Sequence, residues 1–137
     1  MQEDDRTYEL VAMLETLVEN LTWMSETDAP IQVVCWENRT AIETKEQLLE
    51  QTKHSASAPV EIVDLDKFFA PVITEQDWFG DEEKETAARY RSLLSVLKEK
   101  LSDIKVYRVG EVEIDVYIVG LTEAKTVVGI AAQVVET

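Results

Sequence analysis

The stretch Val127-Val128-Gly129-Ile130-Ala131-Ala132 runs for six residues without a polar side chain. A strand with one wet face alternates apolar and polar residues, whereas an unbroken apolar run implies a strand covered on both faces. Helices are therefore expected above and below the sheet that contains this segment, in a three-layer α/β/α sandwich. Immediately upstream, after Asp103, the hydrophobic period is two. Residues 105–109 and 112–119 read as a hairpin around Val109-Gly110, and residues 126–136 as the last strand. Hairpin connections make this C-terminal part mostly antiparallel.

Working outward, Leu10, Leu14, Leu17 and Leu21 recur at steps of four, three and four, with Val11 and Val18 beside them. That is the apolar stripe of an amphipathic helix over residues 7–21. The polar turn Ser25-Glu26-Thr27-Asp28-Ala29-Pro30 leads to a first strand from Ile31 to about Glu37. Thr44-Lys45-Glu46-Gln47 has capping-box spacing, and Leu48-Leu49 give the second helix its buried face. A second strand covers Val60–Val63, and Asp64 or Asp66 caps a short helical turn at Lys67-Phe68-Phe69 that Pro71 is expected to interrupt. After the turn of residues 74–80, Asp81 is expected to cap the longest helix, whose Ala87, Tyr90, Leu94, Leu97 and Leu101 share a face. With no repeats and no low-complexity linker, residues 1–137 read as a single domain.

Twenty-eight acidic side chains face thirteen basic ones, for a net charge of -15. Such a surface repels nucleic acid and anionic lipid and attracts a basic partner, although acidity alone also serves solubility. The one cysteine, Cys35, excludes an internal disulfide or a cysteine-based zinc site, and its apolar neighbours suggest a buried, inert thiol. His54, in a polar run, reads as a surface loop residue. No apolar run is long enough to span a bilayer, and Met1-Gln2-Glu3-Asp4-Asp5 is the reverse of a basic leader, so a cytoplasmic location is expected.

The residues offer no assembled catalytic chemistry. Gly80, Gly110, Gly120 and Gly129 stand apart and form no phosphate-binding nest, and a single histidine with no evident partner supports no nucleophile relay. No pair of carboxylates is singled out by spacing. Asp81-Glu82-Glu83 and Glu85 suit the positive end of a helix dipole. Glu111, Glu113 and Asp115 share one face of a strand, with Arg108 expected opposite Glu111 and the others solvated. Trp23 and Trp36 flank predicted elements and suit a core. Trp78 stands among Glu75, Gln76, Asp77, Gly80 and Asp81, and a tryptophan in a polar turn is a candidate contact residue. No cofactor or metal of its own is expected.

Four segments carry a resemblance to a known family. They are Leu21-Thr22-Trp23-Met24-Ser25-Glu26-Thr27-Asp28-Ala29-Pro30, Thr74-Glu75-Gln76-Asp77-Trp78, Val106-Tyr107-Arg108-Val109-Gly110-Glu111-Val112-Glu113-Ile114-Asp115-Val116-Tyr117, and Val134-Val135-Glu136-Thr137. Together they resemble the nuclease A inhibitor family from roughly Leu17 to the last residue. The resemblance implies an α/β/α sandwich like the plant pathogenesis-related class 1 fold. It also implies inhibition of a magnesium-dependent, sugar-nonspecific endonuclease of the ββα-metal type. Glu26 then corresponds to the glutamate directed at the nuclease's catalytic metal, Asp77 and Trp78 to flanking contacts, and Thr137 to a residue entering near the scissile phosphate, with Glu136 beside it.

A nonspecific nuclease offers cationic side chains and a hydrated hard cation, both of which accept oxygen ligands in place of phosphate. On this reading the protein is not an enzyme, does not itself bind nucleic acid or membrane, and is a monomer that joins a basic nuclease 1:1. The runner-up is an acidic docking or DNA-mimic module for another basic protein; a hydrolase with an unrecognised carboxylate pair is the third.

Overall fold

The computed structural model describes residues 2–19, 21–23, 29–36, 44–55, 57–74, 77–123 and 126–135. In chain order the elements are α1 (Gln2–Val18), β1 (Thr22–Trp23), β2 (Ala29–Pro30), β3 (Gln32–Trp36), α2 (Lys45–Gln51) and β4 (Val60–Val63), then α3 (Leu65–Ile73), α4 (Asp81–Lys100), β5 (Ser102–Val109), β6 (Glu113–Leu121) and β7 (Val127–Val135). Five strands form one antiparallel sheet in the order β3-β7-β6-β5-β4, and β1 pairs with β2 in a separate small ladder.

The unalternating run in β7 is covered on both faces. Val128, Ile130 and Val134 join a core with Leu10, Leu14 and Val18 of α1, Phe69 of α3, and Tyr90, Leu93 and Leu97 of α4. Val127 belongs to a second core with Leu48 and Leu49 of α2 and with Tyr107, Val109 and Val119. Hence three helices lie on one face and α2 on the other, the α/β/α layering that the sequence implies. Each fully buried Leu or Phe here contributes about 1.5–3 kcal/mol by leaving water.

Between these layers Gly129 is a packing requirement. It pairs with Val34 on one side and Val119 on the other, and a Cβ added there would sit 1.9 Å from the Ile118 carbonyl oxygen. Backbone cannot swing aside as a flexible side chain can, so Gly129→Ala is expected to cost about 1–3 kcal/mol through strain. A urea midpoint matching the wild type would refute this.

Several boundaries differ from the sequence reading. The first helix ends at Val18 and not near Leu21: the Leu21 N–H donates to the Val18 carbonyl at 2.9 Å, and Leu21 is buried outside the helix. Pro71 does not interrupt its helix; α3 runs on to Ile73. The missing Pro71 N–H costs a helical hydrogen bond, but Asp64 caps the helix by accepting from the Lys67 N–H at 3.1 Å, and Phe69 is completely buried. Asp81 does not cap the longest helix. Gly80 takes that place, its N–H donating to Glu83 Oε1 at 2.8 Å, and Asp81 is the first helical residue. Thr44 caps α2 as its spacing implies, accepting from the Gln47 N–H at 3.2 Å.

Two further residues also sit differently. Arg108 does not face Glu111. It lies directly opposite Glu61 across the β4–β5 ladder and donates to Glu61 Oε1 at 3.0 Å. Cys35 is half-buried against the larger core.

Candidate partner-binding site

Asp77 and Trp78 occupy the connection between α3 and α4. The chain leaves α3 with the Thr74 N–H donating back to the Ala70 carbonyl at 3.1 Å, and enters α4 through the extended backbone of Gly80. In the turn between them Asp77 is exposed and Trp78 is 70% exposed. The indole does not hang free. It stands edge-to-face with Phe79, ring centroids 4.7 Å apart at 76°, and Phe79 is half-buried. An aromatic pair of this geometry is worth about 0.5–1.5 kcal/mol beyond its buried area, which holds the indole in place before a partner arrives. Asp81, Glu82 and Glu83 come next, in the first turn of α4, where the positive end of the helix dipole favours them. A large apolar ring is thus offered to solvent with carboxylates before and after it in the chain.

The other residues singled out in the sequence, Glu26, Glu136 and Thr137, lie outside the described residues. The nearest described residues on either side of Glu26 are Trp23 and Ala29, and the nearest before Glu136 is Val135. Trp23 and Ala29 pair across the β1–β2 ladder, and the Ile31 N–H continues it by donating to the Leu21 carbonyl at 3.3 Å. Val135, the last residue of β7, lies opposite Glu113, the first of β6. Because β3 and β7 are antiparallel, with Gln32 opposite Ala131, the start of β3 and the end of β7 share one end of the sheet. The Asp77-Trp78 turn belongs to that end as well. α4 runs antiparallel to α3, with Lys98 paired to Asp66 near the start of α3 and Arg91 donating to the Ile73 carbonyl at its end, and Arg89 meets the end of α1. At 20 residues the helix is about 30 Å long, against about 27 Å for the eight residues of β5. Its N-terminus therefore reaches the end where β5 finishes and β6 starts.

The model of the family described as nuclease A inhibitor-like protein matches residues 8–137. The chain belongs to that family. Membership implies a nuclease-inhibiting role with a nuclease as partner. No curated protein matches the chain.

Elsewhere the structure corrects the reading of His54 and Asp115. His54 is not a free surface residue, nor is Asp115 simply solvated. The imidazole Nε2 lies 2.7 Å from Asp115 Oδ2, Nδ1 lies 2.6 Å from Thr52 Oγ1, and the ring stands edge-on to Tyr117. Gln133 also donates to Asp115 Oδ1 at 3.3 Å. A hydroxyl, imidazole and carboxylate in line invite comparison with a nucleophile relay, but Thr52 Oγ1 donates to the Leu48 carbonyl at 2.8 Å. The group fastens the chain after α2 onto β6. No local motif could have revealed it, because 61 residues separate His54 from Asp115.

Burial, reinforced by the Asp115 charge and opposed by a hydrogen bond with Thr52, raises the Tyr117 phenol above its ordinary value; burial raises Tyr107 too. A folded-state value above the unfolded one means that the native state holds its proton longer. Stability from this source is complete below about pH 10 and falls as pH rises through the folded value. Tyr117→Phe should therefore flatten the decline of the urea midpoint above about pH 10. An unchanged slope would show that Tyr117 does not contribute to it.

Among the described residues, no group of three His, Cys, Asp or Glu side chains could hold a metal ion, and no helix is long and apolar enough to cross a membrane.

Proposed function

We infer that this chain inhibits a magnesium-dependent, sequence-nonspecific endonuclease by occupying its active site. It acts as one cytoplasmic domain over residues 1–137, monomeric alone and 1:1 with a basic nuclease, with no cofactor and no catalytic activity of its own. Glu26, Asp77, Trp78, Glu136 and Thr137 form the contact surface. Glu26 supplies a carboxylate and Thr137 a hydroxyl where phosphate oxygens of a substrate would approach the nuclease's metal, and magnesium prefers such oxygen donors. Trp78 is the apolar anchor, and Asp77 and Glu136 extend the negative rim.

The observation that carries this reading is the exposed, pre-oriented indole of Trp78 between carboxylates, in a chain whose family is one of nuclease inhibitor-like proteins. Large aromatic side chains are common hot spots of protein interfaces. The net charge of -15 supports it, because a basic cleft that binds any phosphodiester draws an acidic protein across the solvent and accelerates association in a salt-sensitive way. The protein has no phosphodiester to offer and so is not consumed.

The test is a plasmid digestion by a nonspecific magnesium nuclease titrated with the protein. Digestion is expected to stop near equimolar amounts. Unhindered digestion would favour an acidic docking role with another basic partner, and plasmid cleavage by the protein alone would make it an enzyme.

A further inference from the structure

The long helix α4 reaches sideways to the helices on both flanks. Arg89 Nη2 donates to the Leu17 carbonyl at 3.1 Å and to the Glu19 carbonyl at 2.5 Å, closing the C-terminal end of α1. Arg91 Nη1 donates to the Ile73 carbonyl at 2.8 Å, closing the C-terminal end of α3. Residues two apart on a helix point about 200° from one another, so the two guanidinium groups serve opposite sides. Neither α1 nor α3 carries a basic residue in its own last turn, although the carbonyl end of a helix favours a positive charge there. α4 supplies both.

The segments beyond the two fastened ends are those that carry the contact residues. Three residues after Glu19 the chain enters the β1–β2 ladder that brackets Glu26, and four residues after Ile73 it reaches Asp77 and Trp78. α4 itself starts just after Trp78. We propose that Arg89 and Arg91 are positioning residues for inhibition, setting the β1–β2 ladder and the Asp77-Trp78 turn at a fixed separation by tying both to one rigid helix. This rests on the inhibitor reading above. The two residues act through the segments they anchor. Preorganisation of this kind slows dissociation, because a contact surface already in its bound shape loses less freedom on binding.

Charge gives the proposal a test with an unusual sign. Removing a cation makes the inhibitor more acidic, so steering by a basic nuclease should be equal or faster in Arg89→Ala and Arg91→Ala. Lost positioning acts oppositely, on the dissociation rate. The association and dissociation rates of each variant are measured on the nuclease by surface plasmon resonance, alongside urea midpoints and with Arg89→Lys and Arg91→Lys as controls that keep the charge but lose the planar fork.

The expected result is an association rate at or above wild type and a dissociation rate about tenfold higher for each alanine variant, with the lysine variants between. Arg91→Ala should also be non-additive with Trp78→Ala, since both act through one turn, whereas Arg89→Ala should add to it. If wild type inhibits and the folded variants dissociate at its rate, Arg89 and Arg91 are structural only and the proposal is overturned. The same holds if potency falls only in proportion to the folded fraction, or if the Arg91 and Trp78 effects simply add. Failure of the wild type itself to bind the nuclease would instead overturn the inhibitor reading on which the proposal stands.

Discussion

Trp78→Ala is expected to raise the inhibition constant about 30-fold or more, equivalent to about 2–4 kcal/mol, while leaving the fold intact. Two features of the free protein separate these effects. The indole is 70% exposed, so its loss opens no cavity in the core, and folding stability should fall by no more than the Phe79 ring contact is worth, about 0.5–1.5 kcal/mol. Its ring stands edge-on against Phe79, so little rotamer freedom remains to be lost when a partner closes over it. Inhibition constants from initial rates of DNA cleavage, together with urea midpoints, check both halves. A loss of less than twofold in potency would make Trp78 a bystander, and a large fall in the midpoint would make it a folding residue.

Glu26→Gln should raise the inhibition constant by a comparable or greater factor, about 2–5 kcal/mol. The substitution keeps the shape and removes the charge. A metal-bound site that has given up water in exchange for a carboxylate is left with a neutral amide oxygen, a poorer ligand for a hard divalent cation. The penalty should depend on the metal: with magnesium omitted and binding followed directly, the wild type and the variant should move closer together. Equal affinities in the presence of magnesium would remove Glu26 from the metal centre.

The parts of the fold legible from residues alone are those where periodicity and caps agree. β4 spans Val60–Val63 as its residues imply, the capping threonine of α2 is the expected one, and the apolar run of β7 announces its two-sided burial. The departures have identifiable physics. Pro71 would break an isolated helix, yet in α3 the burial of Phe69 and the cap at Asp64 outweigh its missing donor. Arg108 invites pairing with the nearest acid in the chain, Glu111, because the β4–β5 register that sets Glu61 opposite it joins residues 47 apart. Asp81 is the better capping type, but Gly80 takes the cap position, and Glu83 in the first turn reaches back to accept from the Gly80 N–H.

The candidate site is legible unevenly. Trp78 stands out as an aromatic residue in a polar turn, and it is exposed there. Nothing in the local pattern singles out Glu26 or Thr137 from the other acidic and hydroxyl residues, and only the family resemblance draws attention to them. Arg89 and Arg91 carry no local signal, because the carbonyls they bind lie as many as 72 residues away in the chain.

The decisive measurement is a competition on a catalytically disabled nuclease loaded with magnesium and a fluorescent oligonucleotide. Adding this protein should release the oligonucleotide completely at one equivalent, with the anisotropy falling to that of free DNA. Binding of the protein with the oligonucleotide still held would mean that it sits elsewhere on the enzyme, and substitution for the phosphate backbone at the metal would be wrong.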